Sequence, residues 1–264
     1  MVQQTRTAGI DVIDRLPWGA HLCLFYQTKK DLIDVLVPYF KAGLENNEFC
    51  MWVTSAPLTV EDSKRSLKRV IRDLDNYIGK GQIEILDYTE WYTKSGRFEC
   101  DSVLQGWVKK EDHALKKGFD GLRLAGNTVW LKKEDWAEFA DYEATIDGVI
   151  PNHQMIAVCF YSLEKCGPSE VLDVVSNHQF ALTRREGRWV QLDRLRNMVR
   201  TIVTTRPDEI GCDQCFEELD RFVEIALADK AIPEAMQLVQ DHLERCDDCH
   251  EEFEALLAAL RASP

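Results

Sequence analysis

The sequence predicts an α/β protein, with a mostly parallel sheet flanked by helices over roughly the first 200 residues and a small all-α module after it. Three observations carry this reading. Short apolar, β-branched runs alternate with longer segments of helical periodicity through the first 180 residues or so, the pattern of buried parallel strands joined by crossover helices. The stretch Thr204-Thr205-Arg206-Pro207-Asp208 then breaks the pattern, because Pro207 cannot continue a helix. Beyond it the composition changes: from Pro207 to Pro264 there are 16 acidic and 4 basic residues, a balance of -12, against 29 acidic and 28 basic upstream. The boundary is placed there, giving domains over 1–204 and 205–264.

Strands are expected over 21–26, 49–54, 83–86, 121–125 and 155–161, where the apolar runs are short and rich in β-branched and aromatic residues. Helices are expected between them over 30–45, 60–77, 102–117, 133–147 and 169–177. Residues 180–185 and 188–192 flank Glu186-Gly187, a hairpin in which glycine supplies the positive φ. A polar helix is expected over 193–203.

With 45% hydrophobic residues in 264, the chain can bury a sizeable core. No run approaches the roughly 18 apolar residues of a membrane span, and the opening residues lack a basic region followed by an apolar one. The expectation is therefore a cytoplasmic protein without membrane contact. Nine cysteines in such a chain point to reduced thiols. Cys23, Cys50, Cys100, Cys159 and Cys166 are scattered, whereas Cys212/Cys215 and Cys246/Cys249 form two close pairs. The acidic tail would repel nucleic acid and attract basic protein surfaces.

The segment from Leu22 to Ser55 reads as strand, turn, amphipathic helix and second strand, a layout that looks like the opening unit of RecA-type and KaiC-type ATPases. In those enzymes a glycine-rich turn ending in Gly-Lys-Ser/Thr wraps the phosphate with backbone N–H groups. Here the turn is Tyr26-Gln27-Thr28-Lys29-Lys30-Asp31, without glycine, and neither phosphate cradling nor ATP hydrolysis is expected. No nucleophile and base stand at readable spacing, so no catalytic residue is assigned.

The stretches His21-Leu22-Cys23-Leu24-Phe25-Tyr26, Leu36-Val37-Pro38-Tyr39-Phe40-Lys41-Ala42-Gly43-Leu44-Glu45 and Trp52-Val53-Thr54-Ser55 resemble the MEDS family, the sensory domain of methanogen and methylotroph regulators. Asp120-Gly121-Leu122-Arg123 and Asn177-His178-Gln179 match less specifically. The resemblance covers about residues 15–192 and implies an input domain of a regulator, with no ligand transferable from the family.

In parallel α/β sheets a pocket lies beyond the C-terminal strand ends, where Tyr26, Gln27, Thr54, Ser55 and Asn127 would gather. Trp91, Tyr92 and Trp130 follow the third and fourth strands and would line an apolar cavity. His21 and His178 sit beside strands, where a histidine acts either as a satisfied hydrogen-bonder or as a functional group. The candidate small-molecule pocket is accordingly His21, Tyr26, Gln27, Thr54, Trp91, Tyr92 and Trp130.

The run from His242 to Cys249 has the spacing His-x3-Cys-x2-Cys. Positions four apart share a helix face, so His242 and Cys246 can share one ion with Cys249 a turn beyond. Thiolates with imidazole select Zn2+ over hard cations. A fourth ligand comes from Cys212 or Cys215, so five candidates, Cys212, Cys215, His242, Cys246 and Cys249, compete for four places. Leu219, Phe222, Leu238 and Leu257 are expected to pack around the ion.

This segment resembles the anti-sigma zinc-binding module through Cys215-Phe216-Glu217-Glu218-Leu219-Asp220-Arg221-Phe222-Val223, His242-Leu243, Cys246, Cys249, Glu252-Phe253 and Leu256-Leu257. The resemblance carries over His242, Cys246 and Cys249 as ligands, places Cys215 at the upstream position, and implies a sigma factor or another transcription regulator with a basic face as partner. The expected function is a non-enzymatic signalling and transcription regulator. Two alternatives are a RecA-like nucleotide-binding enzyme with an atypical loop, and a redox or zinc sensor in which the α/β domain is scaffold.

Overall fold

A computed structural model of the chain describes residues 4–192, 210–228, 232–244 and 246–262. The chain divides into two compact units, Met1–Arg196 and Asn197–Pro264. The expected helix over 193–203, the connector over 204–208 and the boundary between 204 and 205 lie outside the described residues.

The first unit runs β1 (Thr5–Ile10), β2 (Ile13–Pro17), β3 (Ala20–Tyr26), α1 (Lys29–Glu45), β4 (Phe49–Thr54), α2 (Val60–Lys68), α3 (Leu74–Gly79), β5 (Ile83–Asp87) and α4 (Tyr88–Trp91). It continues with α5 (Cys100–Lys116), β6 (Leu122–Asn127), α6 (Trp136–Val149), β7 (Met155–Ser162), α7 (Pro168–Ser176), β8 (Phe180–Arg185) and β9 (Arg188–Gln191). Seven strands form one sheet in the order β5-β4-β6-β7-β3-β8-β9. Every neighbouring pair is parallel except β8 with β9. Every residue of β3, β4, β6 and β7 is buried, as expected of central strands covered on both faces. The α/β class with a mostly parallel sheet flanked by helices is therefore observed.

Three local differences from the sequence reading have physical causes. The hairpin β1–β2 was not anticipated; its strands carry the polar runs Thr5-Arg6-Thr7 and Asp14-Arg15, and Gly9, at φ +73° with no room for a Cβ beside Pro38 and Ala42, lets it lie against α1. The single helix expected over 60–77 is two, because a turn after Lys68 brings Leu67, Ile71 and Leu74 together into the core. The helix expected over 133–147 begins with a 3-10 turn, Lys133–Asp135, before α6.

α1 starts with a capping box in which the Thr28 hydroxyl accepts from the Asp31 N–H and the Asp31 carboxylate accepts back from Thr28. Leu32, Val35, Leu36, Tyr39 and Phe40 then recur on its buried side, the stripe a helix needs to pack on a sheet.

One buried ion pair ties the first unit together. Arg123, on β6 and fully buried, binds Glu48, itself fully buried just before β4. Its remaining donors reach the carbonyls of Thr7 at 2.9 Å, Ala8 at 2.9 Å and Tyr39 at 3.2 Å, and its guanidinium lies over the Tyr39 ring. Arg6 adds a second cation on Glu48 at 3.0 Å and reaches Asp120 at 2.8 Å. Gly43 makes the passage possible, since a Cβ there would stand 2.6 Å from Arg123 Cδ.

The second unit holds α8 (Cys212–Leu227), a 3-10 turn at Glu234–Met236, α9 (Gln237–Leu243) and α10 (Asp247–Ala262). Cys215, Leu219, Phe222, Met236, Val239, Leu243 and Cys249 form its core. Leu238, expected inside, is exposed; Val239, His242 and Leu243 share the inward face three and four residues apart, which turns Leu238 outward.

Replacing Glu48 with Gln leaves the Arg123 cation buried without its counter-charge. Urea unfolding of Glu48→Gln is expected to show a loss of about 3–5 kcal/mol, whereas exposed Lys41→Gln, which breaks only an i,i+4 pair with Glu45, should cost well under about 1 kcal/mol.

Candidate metal centre and strand-end pocket

In the second unit the sequence candidates converge. Donor atoms of Cys212, His242, Cys246 and Cys249 all lie within 4.8 Å of one another. Cys212 opens α8, His242 ends α9, Cys246 follows it, and Cys249 lies in the first turn of α10. Two of the thiols therefore stand in first helical turns. The sulfurs of Cys212 and Cys246 are 3.8 Å apart. His242 Nε2 is buried with no hydrogen-bond partner among the described residues, a polar atom that the surrounding side chains leave unmet.

Cys215, the upstream position favoured by the resemblance to anti-sigma modules, is fully buried in the core of the unit beside Cys249, whose thiol it meets, while exposed Cys212 supplies the sulfur of the group of four. The two stand one turn apart on the stripe of α8 that also carries Leu219 and Phe222, Cys212 at the open N-terminal end of the helix. Burial and then the crowding of Cys246 and Cys212 push the Cys249 thiol upward; for Cys212 the contact with Cys246 comes first and burial second. Packed this closely, the thiols ionise together only against a cation.

The strand-end residues do gather, but against each other. The Tyr26 hydroxyl donates to Asn127 Oδ1 at 3.0 Å, Asn127 Nδ2 donates to the Ala56 carbonyl at 2.8 Å, Ser55 Oγ donates to the Asn127 carbonyl at 3.3 Å, and Thr54 Oγ1 donates to the Leu58 carbonyl at 2.8 Å. Burial pushes the Tyr26 phenol up to about 12, so it stays a neutral donor. Tyr26 and Thr54 are buried and Gln27 is exposed; they close the strand ends and line none of the described cavities. The open pocket expected there is corrected to a closed polar network, because asparagine and hydroxyl side chains meet each other's hydrogen-bonding needs.

The turn into α1 is filled from within. The Asp31 carboxylate accepts from the N–H groups of Gln27 at 3.1 Å and Thr28 at 2.9 Å and pairs with Arg184. A carboxylate thus occupies the place where a phosphate would sit at a helix N-terminus.

Trp91, Tyr92 and Trp130 belong to an aromatic layer: Trp91 contacts Trp107 at 4.4 Å, and Tyr92 stacks on Trp130 at 5.0 Å. Gly126 admits it, since a Cβ there would stand 2.2 Å from the Tyr92 hydroxyl. Trp130 walls an open polar cleft of about 950 Å³ beside Arg97, Cys100 and Glu138. Tyr92 lines a separate, small apolar cavity of about 40 Å³. The aromatics expected to share one cavity therefore do not: Trp130 and Tyr92 line different ones, and Trp91 lines none of the described cavities.

His21 faces this small cavity from β3. It does not stand alone: its ring stacks on His178 at 4.0 Å, and Glu143 of α6 and Cys159 of β7 complete a buried group. Although burial alone would raise it, Glu143 is held down at about 2 by its bonds to His178 and His21. Glu143 and Cys159 were not found from sequence, because the four come from four elements up to 157 positions apart. The one available signal was a lone acidic residue, Glu143, at a position that helical periodicity places with Phe139 on the inner face of α6.

A family model of MEDS, the methanogen/methylotroph DcmR sensory domain, matches residues 20–179. The transcriptional repressor DcmR of Methylorubrum extorquens is 24% identical over 179 residues, covering 67% of this chain and 63% of that protein. This chain thus matches less than two thirds of that relative. A solved KaiC-like protein of Pyrococcus horikoshii OT3 aligns with a TM-score of 0.48 at 14% identity, over 69% of this chain and 80% of that one. With the MEDS match running from the start of β3 to the residue before β8, across β3 to β7 and the helices between them, the chain belongs to the MEDS family of sensory domains.

Proposed function

We propose that this protein is a non-enzymatic transcription regulator in which the MEDS domain receives a signal and the C-terminal helical unit, holding one zinc ion, docks a protein partner. The observation that carries the reading is the convergence of Cys212, His242, Cys246 and Cys249 in a unit of strongly acidic sequence. Three thiolates and an imidazole are a closed tetrahedral set of the structural kind. With the ion bound, the set would fix the end of α9 and the starts of α8 and α10 around a core of few large side chains. These four residues would hold the ion, and Cys215 would serve the core.

A sigma factor or a related regulator with a basic face is the partner this unit suits. The balance of -12 after Pro207 attracts such a face at long range, and Phe216, 62% exposed on α8, offers an apolar anchor among carboxylates. The relative's description as a transcriptional repressor agrees with a regulatory role. A second reading, a redox sensor, draws on the exposed Cys212 sulfur 3.8 Å from Cys246: loss of the ion would leave two thiols close enough to oxidise to a disulfide. The enzyme alternative finds no support in the α1 turn, where Asp31 holds the N–H groups a phosphate would need.

Cys246→Ser or Cys249→Ser is expected to lower zinc by one equivalent per chain and to unfold the C-terminal helices while the α/β unit keeps its cooperative melt. Elemental analysis and circular dichroism check both, and unchanged zinc in both variants refutes the ligand set. Calorimetric titration with ATP and magnesium should give no heat of binding; a micromolar affinity lost on changing Lys29 or Lys30 would revive the enzyme reading. Raising salt from about 0.05 to 0.5 M shrinks the Debye length from roughly 14 to 4 Å. Association with a basic partner should therefore slow by an order of magnitude or more in stopped flow, with dissociation little changed.

A further inference from the structure

The first unit contains a second group of soft and borderline donors, independent of the C-terminal quartet. His21, Glu143, Cys159 and His178 are all buried, and one donor atom from each lies within 4.8 Å of the others. The fold brings them together from β3, α6, β7 and the turn between α7 and β8. His21 pairs with Ala157 across the parallel ladder, so Cys159 lies diagonally two residues on, and period-two alternation puts both on one face of the sheet. Glu143 comes down on that face from α6.

The distances match a specific coordination shape. A tetrahedral ion with arms of about 2.0–2.3 Å has edges of about 3.3–3.8 Å between its ligands. Glu143 Oε2 stands 3.2 Å from His21 Nε2 and 3.3 Å from His178 Nε2. Cys159 Sγ stands 3.6 Å from His21 Nε2 and 3.8 Å from Glu143 Oε2.

The far sides of the imidazoles are arranged as metal-bound histidines require. His178 Nδ1 lies 2.7 Å from the Val174 carbonyl; a carbonyl only accepts, so the proton is on Nδ1 and Nε2 is left to point its lone pair inward. That Nε2 is fully buried and faces the Glu143 carboxylate at 3.3 Å. His21 turns its Nδ1 toward the Asp147 carboxylate at 3.5 Å, one helical turn beyond Glu143. A carboxylate or carbonyl behind each ligating imidazole is the usual support of a metal site.

We propose that His21, Glu143, Cys159 and His178 bind a divalent ion of the zinc class inside the MEDS domain. Two neutral imidazoles, a carboxylate and a thiolate sum to -2, which a divalent cation cancels, so a charge-neutral site is buried in place of uncompensated charges. One sulfur and two nitrogens select a borderline ion over calcium or magnesium. Tyr92, Trp107 and Tyr142 wall the adjoining cavity of about 40 Å³ and keep the surroundings dry. In this arrangement the ion staples α6 and the α7–β8 turn to the centre of the sheet.

The test is a metal count on the full chain purified with a thiol reductant and without chelator. Wild type is expected to carry two zinc per chain, Cys246→Ser/Cys249→Ser one, and Cys159→Ala or His178→Ala one. A single equivalent that vanishes in Cys246→Ser/Cys249→Ser overturns the proposal; a single equivalent kept in that variant and lost in Cys159→Ala supports it and removes the C-terminal zinc reading instead. Should Cys159→Ala and His178→Ala fail to fold, cobalt loading of Cys246→Ser/Cys249→Ser decides. Intense tetrahedral d–d bands with one thiolate charge-transfer band uphold the site, and a spectrum of free aqueous cobalt refutes it.

Discussion

The architecture of the α/β unit depends on keeping one charge in the wrong solvent. Arg123 emerges from a central strand, where every neighbour is apolar, and is held by Glu48 and three backbone carbonyls. Those partners come from β1, the loop before β4 and the body of α1, so the same guanidinium that must be satisfied also fixes the N-terminal hairpin against the helix and sheet. A buried ion pair of this kind adds little net stability, since desolvation offsets most of the Coulomb attraction. Its effect is on arrangement: the hairpin, the helix and the strand must all be in place before the charge can be buried.

The same sheet carries a second departure from apolar packing on its other face. There the imidazoles of His21 and His178, the Glu143 carboxylate and the Cys159 thiol occupy positions that in an ordinary α/β domain would hold valine or leucine. Around them stand Trp107, Tyr142, Tyr92 and Tyr161, an aromatic surround that makes any unpaired polar atom costly. Polar groups concentrated at the centre of a core mark the place where a sensory domain departs from optimal packing.

The C-terminal unit differs in kind. Among the described residues its core cluster holds seven buried side chains, two of them cysteines, with Val223 and Leu257 also buried, a small set that a bound ion would help to order. A metal-dependent unit can fold or melt with its ion. Two chemically different clusters in one chain, one exposed at Cys212 and rich in sulfur, the other sealed and containing a single thiol, would respond to different insults. Oxidants reach the first more readily than the second.

Much of this was legible in the sequence, because it is encoded locally. Strand and helix alternation, the missing glycines between Tyr26 and Asp31, and the spacing of His242, Cys246 and Cys249 are all read within a few residues, where period and spacing dictate geometry. What required tertiary structure was encoded between distant residues. The closing of the strand ends by Tyr26, Ser55 and Asn127 is one case, and the placing of Tyr92 and Trp130 on different cavities, with Trp91 packed on Trp107, is another. That Cys212 gathers with His242, Cys246 and Cys249, and that Cys215 is buried beside Cys249, depended on how the three helices pack. The gathering of His21, Glu143, Cys159 and His178 was the least visible, since no local period links a strand, a helix, a second strand and a turn. Sequence by itself determined the class of fold and the Cys/His spacing of the tail; the parallel crossovers, which bring far-apart residues onto one face of the sheet, decided which side chains meet.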